Sequence, residues 1–181
     1  MRVFFGICPP ETIKKQLMAT NFRVDGVHWQ AGSELHITVC YVGEVSDKDV
    51  DRLRSSLGRI SIAPFRVAVK GMGVFDSEGG AVHLWAGLQP RAELEALHTL
   101  VKRQVEALGI NIAHFRYQPH ITLARLASSA AGSVDDFLES NRDLCTRSFE
   151  VSEIGLFRSI PGKFKSIYHC LDTFPLSGTC R

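Results

Sequence analysis

The sequence predicts an α+β fold: an internal duplication giving two lobes, with two mainly antiparallel sheets flanked by helices around a central cleft. Three observations lead there. Leu35-His36-Ile37-Thr38-Val39 and Pro119-His120-Ile121-Thr122-Leu123 are near copies, and His120 follows His36 by 84 positions. Phe65-Arg66-Val67 matches Phe149-Glu150-Val151 at the same offset, which Gly71 and Gly155 also keep. Strand-like and helix-like segments then recur in one order through both halves. Two copies are too few for a solenoid, so one bilobal domain over 1–181 is the expectation.

The elements follow in order. Arg2 to Cys8, rich in aromatic and β-branched residues, reads as a strand. Pro10 to Thr20 reads as a helix with proline at its start and Ile13 and Leu17 on one face. Leu35 to Tyr41 is a strand that Gly43 should end. Ser46-Asp47-Lys48-Asp49 has the form of a capping box with Asp in the Glu position, opening a helix with Val50, Leu53 and Leu57 as its apolar stripe. Phe65 to Lys70 and Ala81 to Gly87 alternate as strands, joined by the turn-rich Asp76-Ser77-Glu78-Gly79-Gly80. In the second half, Pro90 to Leu108 is a helix with Leu94, Leu97, Val101, Val105 and Leu108 on one face, closed by Gly109. Pro119 to Leu126 is a strand and Val134 to Ser140 a short helix. Phe149 to Phe157 and Ser166 to Asp172 are strands separated by the Pro161-Gly162 turn.

Composition narrows the function classes. Of 181 residues, 45% are hydrophobic and 22% charged, which excludes a disordered chain. Lys and Arg number 21 against 19 Asp and Glu, so the net charge of +2 excludes a polycation while leaving room for a local basic cleft. The apolar run RVFFGIC near the start is shorter than the core of a signal peptide, and no stretch reaches bilayer length. The five cysteines, Cys8, Cys40, Cys145, Cys170 and Cys180, form no CxxC pair and read as reduced thiols. A cytoplasmic monomer without membrane contact is expected. No Cys/His cluster has zinc-ligand spacing, so neither metal nor cofactor is expected.

The repeated histidines carry the chemistry. Strand side chains alternate faces, so His36 and Thr38 point one way, as do His120 and Thr122. A pseudo-symmetric duplication can set the two strands across a cleft, presenting two imidazoles and two hydroxyls to one ligand. A free imidazole titrates near ~6.5, so one can be neutral and the other protonated. A base and an acid on opposite sides of a phosphorus suit in-line displacement. Threonine hydroxyls can donate to the non-bridging oxygens. One His-x-Thr on a strand would mean little; two in a fixed register favour a site. His28, His83, His98, His114 and His169 repeat with no threonine, and His98 on the long helix should be partly solvated. Trp29 and Trp85 read as core aromatics. Arg158, Lys163 and Lys165 flank the Ser159-Ile160-Pro161-Gly162 loop and read as solvated surface, unless that loop borders the cleft, where they would meet an RNA backbone.

On these motifs the chain resembles the 2H phosphoesterase superfamily, and within it the RNA 2′,3′-cyclic phosphodiesterases, also called 2′-5′ RNA ligases. The matching stretches are MRVFFGICPP, ELHITVCYVG, FRVAVKGMGVF, AVHLWAGL, FRYQPHITLARL and FEVSEIGLFRS. The resemblance implies a bilobal fold with a basic cleft and hydrolysis of a 2′,3′-cyclic phosphate to a 2′-phosphate, without metal, on RNA ends or cyclic nucleotides. It implies His36 and His120 as the acid and base, and Thr38 and Thr122 as phosphate contacts. It further implies Arg125 as a phosphate ligand and Tyr41 as a base contact. Strict alternation puts Tyr41 and Arg125 on the face away from the histidines, so a bulge or the strand's end must turn them. Cys40 lies outside the motif and is expected as a small cleft-lining thiol. Two other readings stay open: an RNA- or nucleotide-binding module without chemistry, and a phosphodiesterase for a small cyclic metabolite.

Overall fold

The structure is a computed structural model that describes residues 1–21, 26–58, 61–76, 82–113, 116–126, 132–162 and 166–178. Strand β1 (Arg2–Ile7) is buried from Val3 onward, and α1 (Glu11–Met18) follows Pro10, burying Ile13 and Leu17. The short strand β2 (Val27–Trp29) leads to a single 3-10 turn, Gly32–Glu34, and then β3 (Ile37–Glu44). Helix α2 (Asp47–Leu57) has the capping box read from its sequence: the Asp49 N–H donates to Ser46 Oγ at 3.2 Å. Its stripe of Val50, Leu53 and Leu57 is buried. Strands β4 (Phe65–Asp76) and β5 (Val82–Gln89) precede α3 (Ala92–Ala107), whose Leu94, Leu97, Val101 and Val105 are fully buried. Gly109, at φ +74°, follows its end. The chain closes with β6 (His120–Leu126), α4 (Gly132–Ser140), β7 (Phe149–Val151), β8 (Glu153–Pro161) and β9 (Ser166–Pro175).

The strands run in the order β7-β4-β5-β6-β3-β1-β8-β9, with β2 also on β6, and every ladder is antiparallel. The first lobe's sheet is β3-β1-β8-β9 and the second's is β6-β5-β4-β7. Between β3 and β6 the register consists of one pair, Ile37 with Ile121. These residues are 84 apart, so each pairs with its own copy. Arg66 and Glu150, also 84 apart, do the same between β4 and β7. An antiparallel pair of equivalent residues is what a two-fold axis produces, and these two pairs mark that axis. The halves also exchange strands. β4, from the first half, pairs with β5 of the second lobe, while β8 returns to β1 of the first. One buried apolar cluster runs through both lobes. Among the described residues no helix is long and apolar enough to cross a membrane.

Several boundaries differ from the sequence reading. Gly43 does not end β3; it sits at φ +90° beside a one-residue register slip at Val42, and the strand continues to Glu44. Likewise β4 runs on past Lys70 through Gly71 (φ +71°) to Asp76. A glycine at positive φ absorbs a bulge as readily as it ends a strand. The stretch Phe149 to Phe157 is broken at Ser152, where the chain leaves the second lobe's sheet for the first. β2 had no counterpart in the sequence reading. The turn residues 77–80, Lys163, Lys165, His114 and Cys180 lie outside the described residues.

Candidate active site

His36 directly precedes Ile37, and His120 directly precedes Ile121, so both histidines flank the pair that joins the lobes. Continued by one residue each way, that register sets His36 across from Thr122 and Thr38 across from His120. The two imidazoles are held identically. His36 Nδ1–H donates to the Glu34 carbonyl at 2.7 Å, and His120 Nδ1–H to the Gln118 carbonyl at 2.7 Å. A carbonyl only accepts, so it selects the Nδ1–H tautomer and leaves Nε2 for chemistry. In the first lobe the preceding turn is locked as well, because the Ala31 N–H donates to the buried Glu34 carboxylate at 2.7 Å.

Aromatic rings wall both histidines. His36 lies 4.8 Å from Phe4 and 4.7 Å from Tyr168, centroid to centroid. His120 lies 5.0 Å from Phe75 and 6.5 Å from Trp85. Trp85, expected in the core, is half-buried beside His120 and covers Gly73, where a Cβ would come within 2.3 Å of the indole. Burial lowers the pKa of both histidines below the ordinary imidazole value, against the opposing pull of their carbonyl partners. At His36 the charge of His120 lowers it further.

The bulge that alternation required is present in both lobes. Phe5 pairs with Cys40 but Gly6 with Thr38, so Val39 is the extra residue. Leu84 pairs with Ala124 but Trp85 with Thr122, so Leu123 is the extra residue at the equivalent place. Past each bulge the parity reverses, and Tyr41 and Arg125, which are 84 apart, turn toward the cleft. Bulged residues leave backbone groups to be satisfied elsewhere. The Val39 carbonyl accepts from His98 Nδ1–H at 2.7 Å, and the Thr38 carbonyl from the Tyr117 hydroxyl at 3.2 Å. His98 is half-buried and stacked on Tyr117, with centroids 4.1 Å apart. In the second lobe the Leu123 carbonyl accepts instead from the backbone N–H of Gln30, at 2.8 Å.

Two cavities open from this seam and share Thr38 and Tyr41. One, of about 210 Å³, holds His36, Thr38, Tyr41 and Arg125 with Arg2, Phe4, Ser159, Ser166 and Tyr168. The other, of about 220 Å³, reaches His120 and is mostly apolar, with His98, Tyr117, Ile112 and Cys40 in its wall and Lys102 and Arg116 beside it. Arg125 makes no hydrogen bond or ion pair among the described residues, and its Nε is sealed from water. The Cys40 thiol is pushed up to about 12 by burial, so it stays protonated. Thr122 lies beside Trp85 in the ladder and lines neither cavity.

His83 and His28 flank Arg125 on the neighbouring strands, which their lack of a repeated threonine had concealed. Trp29 packs against the core, 5.7 Å from Phe137. Arg158 is exposed, whereas Ser159, which opens the expected loop, and Ser166, at the start of β9, line the first cavity. Sequence reasoning missed Arg2, Phe4, Phe75 and Tyr168. Arg2 and Phe4 share one face of an alternating strand, a usable signal; Tyr168 had none. Among the described residues no three His, Cys, Asp or Glu side chains gather in metal-holding geometry.

Comparison with known proteins places this arrangement in a family. The model of the 2′-5′ RNA ligase superfamily matches residues 9–162. The chain belongs to that superfamily. Similar proteins agree. An RNA 2′,3′-cyclic phosphodiesterase of Archaeoglobus fulgidus is 25% identical over 96% of this chain and 99% of its own. One of Escherichia coli is 31% identical over 71% of this chain and 74% of its own. The crystal structure of Escherichia coli LigT complexed with phosphate superposes with a TM-score of 0.73 at 25% identity, covering 97% of each chain. The sequence reading expected an α+β fold, and the structure has one.

Proposed function

We propose that this superfamily member hydrolyses RNA 2′,3′-cyclic phosphate ends to 2′-phosphate ends, with His36 as general acid and His120 as general base. The observation that carries this is the matched pair of imidazoles at the seam, each tied at Nδ1 and each with Nε2 left for proton transfer. His120 takes a proton from water as the water oxygen bonds to phosphorus. The bond to the 3′-oxygen breaks, and His36 gives that oxygen its proton. The products are a 3′-hydroxyl and a 2′-phosphate, and proton exchange with solvent resets the pair. Thr38 and Thr122 donate to non-bridging oxygens. Arg125, whose Nε has no hydrogen-bond partner among the described residues, neutralises the phosphate, and Tyr41 contacts the base. The two histidines supply both proton transfers, so the mechanism calls on no metal or cofactor.

The names of the relatives and the phosphate complex of LigT support the same substrate class. The test is turnover of a short RNA with a 2′,3′-cyclic end in the presence of chelator, with the product identified. A 2′-phosphate end is expected. A 3′-phosphate product, or activity that vanishes with chelator and returns with metal, would overturn the mechanism.

A further inference from the structure

We propose that Arg2 and Ser159 form a subsite for the phosphodiester on the 5′ side of the cyclic-phosphate nucleotide, so that an oligonucleotide end is preferred over a free nucleoside cyclic phosphate. The inference rests on the reading above, in which His36 protonates the departing 3′-oxygen. That role puts the ribose, and the chain attached to its 5′ carbon, on the His36 side of the phosphorus.

The cavity on that side holds two guanidiniums, those of Arg2 and Arg125, and no carboxylate among its lining residues. Each guanidinium has an Nε sealed from water with no hydrogen-bond partner among the described residues. A buried donor left unsatisfied is costly, so two in one cavity point to guanidiniums held for an anion. Arg2 does contact Glu44, but at 3.4 Å with both side chains substantially exposed, a pair of little worth. Both arginines line the cavity with His36, and Arg2 lies two residues beyond Phe4 along β1. Phe4 is the ring against His36. Two strand residues span about 6.6 Å, comparable to one nucleotide step. The β1–β8 register, continued by one residue, puts Ser159 beside Arg2, and Ser159 pairs in turn with Tyr168. The strand therefore offers a cation and a hydroxyl one step outward from the cyclic phosphate, with an aromatic floor between the two positions.

The test compares kcat/KM for a mononucleoside and a dinucleotide ending in the same 2′,3′-cyclic phosphate. The dinucleotide should be favoured about tenfold, the effect of one charge-assisted contact. Arg2→Gln should remove that preference. So should a neutral methylphosphonate linkage in the dinucleotide, and the two changes together should lose no more than either alone. An equal loss on both substrates in Arg2→Gln would make Arg2 structural and overturn the proposal. A preference that survives Arg2→Gln would place the phosphodiester elsewhere. Failure of the unaltered protein to turn over either substrate would instead sink the phosphodiesterase reading itself.

Discussion

The two lobes carry the same His-x-Thr strand, the same bulge and the same histidine–carbonyl bond, yet their surroundings have diverged. Where the first lobe has Gly6 beside Thr38, the second has Trp85 beside Thr122. Phe4 pairs with Tyr41 in one lobe; His83 pairs with Arg125 in the other. A polar cavity with two arginines adjoins His36, and an apolar one lies by His120. Duplication thus preserved the histidine pair at the seam, which in the proposed mechanism stands on either side of a phosphorus. It left free the residues around each histidine, which in that mechanism decide on which side the ribose lies. A reaction with an entering and a leaving oxygen needs that inequality.

The sharpest way to break the comparison is to remove one histidine at a time. His36→Ala and His120→Ala should each lower kcat by on the order of 10²–10⁴-fold, and the double variant should be little worse, because both act in one step. A substrate with sulfur as the 3′ leaving atom needs less of a proton. It should restore much of the rate to His36→Ala and little to His120→Ala. The opposite pattern would exchange the roles of the two lobes. Rescue of neither would count against a simple acid–base division.

Next in size are the equivalent positions 41 and 125. Arg125→Ala should cost on the order of 10²-fold in kcat/KM by removing the cation from the phosphate. Tyr41→Ala should cost about tenfold or less, the worth of a single base-stacking contact. Equal losses would mean that both residues bind the same group.

How much of this was legible differs by region. Periodicity revealed the helices because their stripes, such as Leu94, Leu97, Val101 and Val105, are local. The repeat revealed the histidine pair, and alternation revealed that Tyr41 and Arg125 needed a bulge. It could not say where, since a register slip at Val39 is settled by the partner strand. The strand exchange, the break at Ser152 and the docking of β2 are long-range pairings with no local trace. Tyr168 reaches His36 because β9 lies on β8, which in turn lies on β1.

A smaller effect separates the lobes at their bulges. The Val39 carbonyl depends on the His98 side chain, whereas the Leu123 carbonyl depends on a backbone N–H that no substitution at Gln30 other than proline removes. His98→Ala should therefore destabilise the protein by about 1–3 kcal/mol and lower kcat. Gln30→Ala should keep the Leu123 bond and its kcat. Thermal unfolding and steady-state rates read both. If the two variants lose kcat alike, the bulge in the first lobe does not rely on His98.

The smallest effect is on stability against pH. Burial lowers the pKa of His36, His120 and His83; His120 adds to the effect at His36, and Arg125 and His120 add to it at His83. The carbonyls of Glu34 and Gln118 oppose it at His36 and His120. With a folded pKa below the unfolded value of ~6.5, the unfolded chain binds protons first as pH falls. Stability is then full above ~6.5 and declines below it, until the folded histidines protonate as well. Inorganic phosphate beside them favours the charged imidazoles and should flatten that decline. Denaturant midpoints measured from pH 7.5 downward, with and without phosphate, should show the slope and its reduction. His83→Gln, outside the proton-transfer pair, should remove its own part of the slope. An unchanged slope in phosphate would mean that the anion does not reach the histidines, and the seam between the lobes would lose its claim to be the phosphate site.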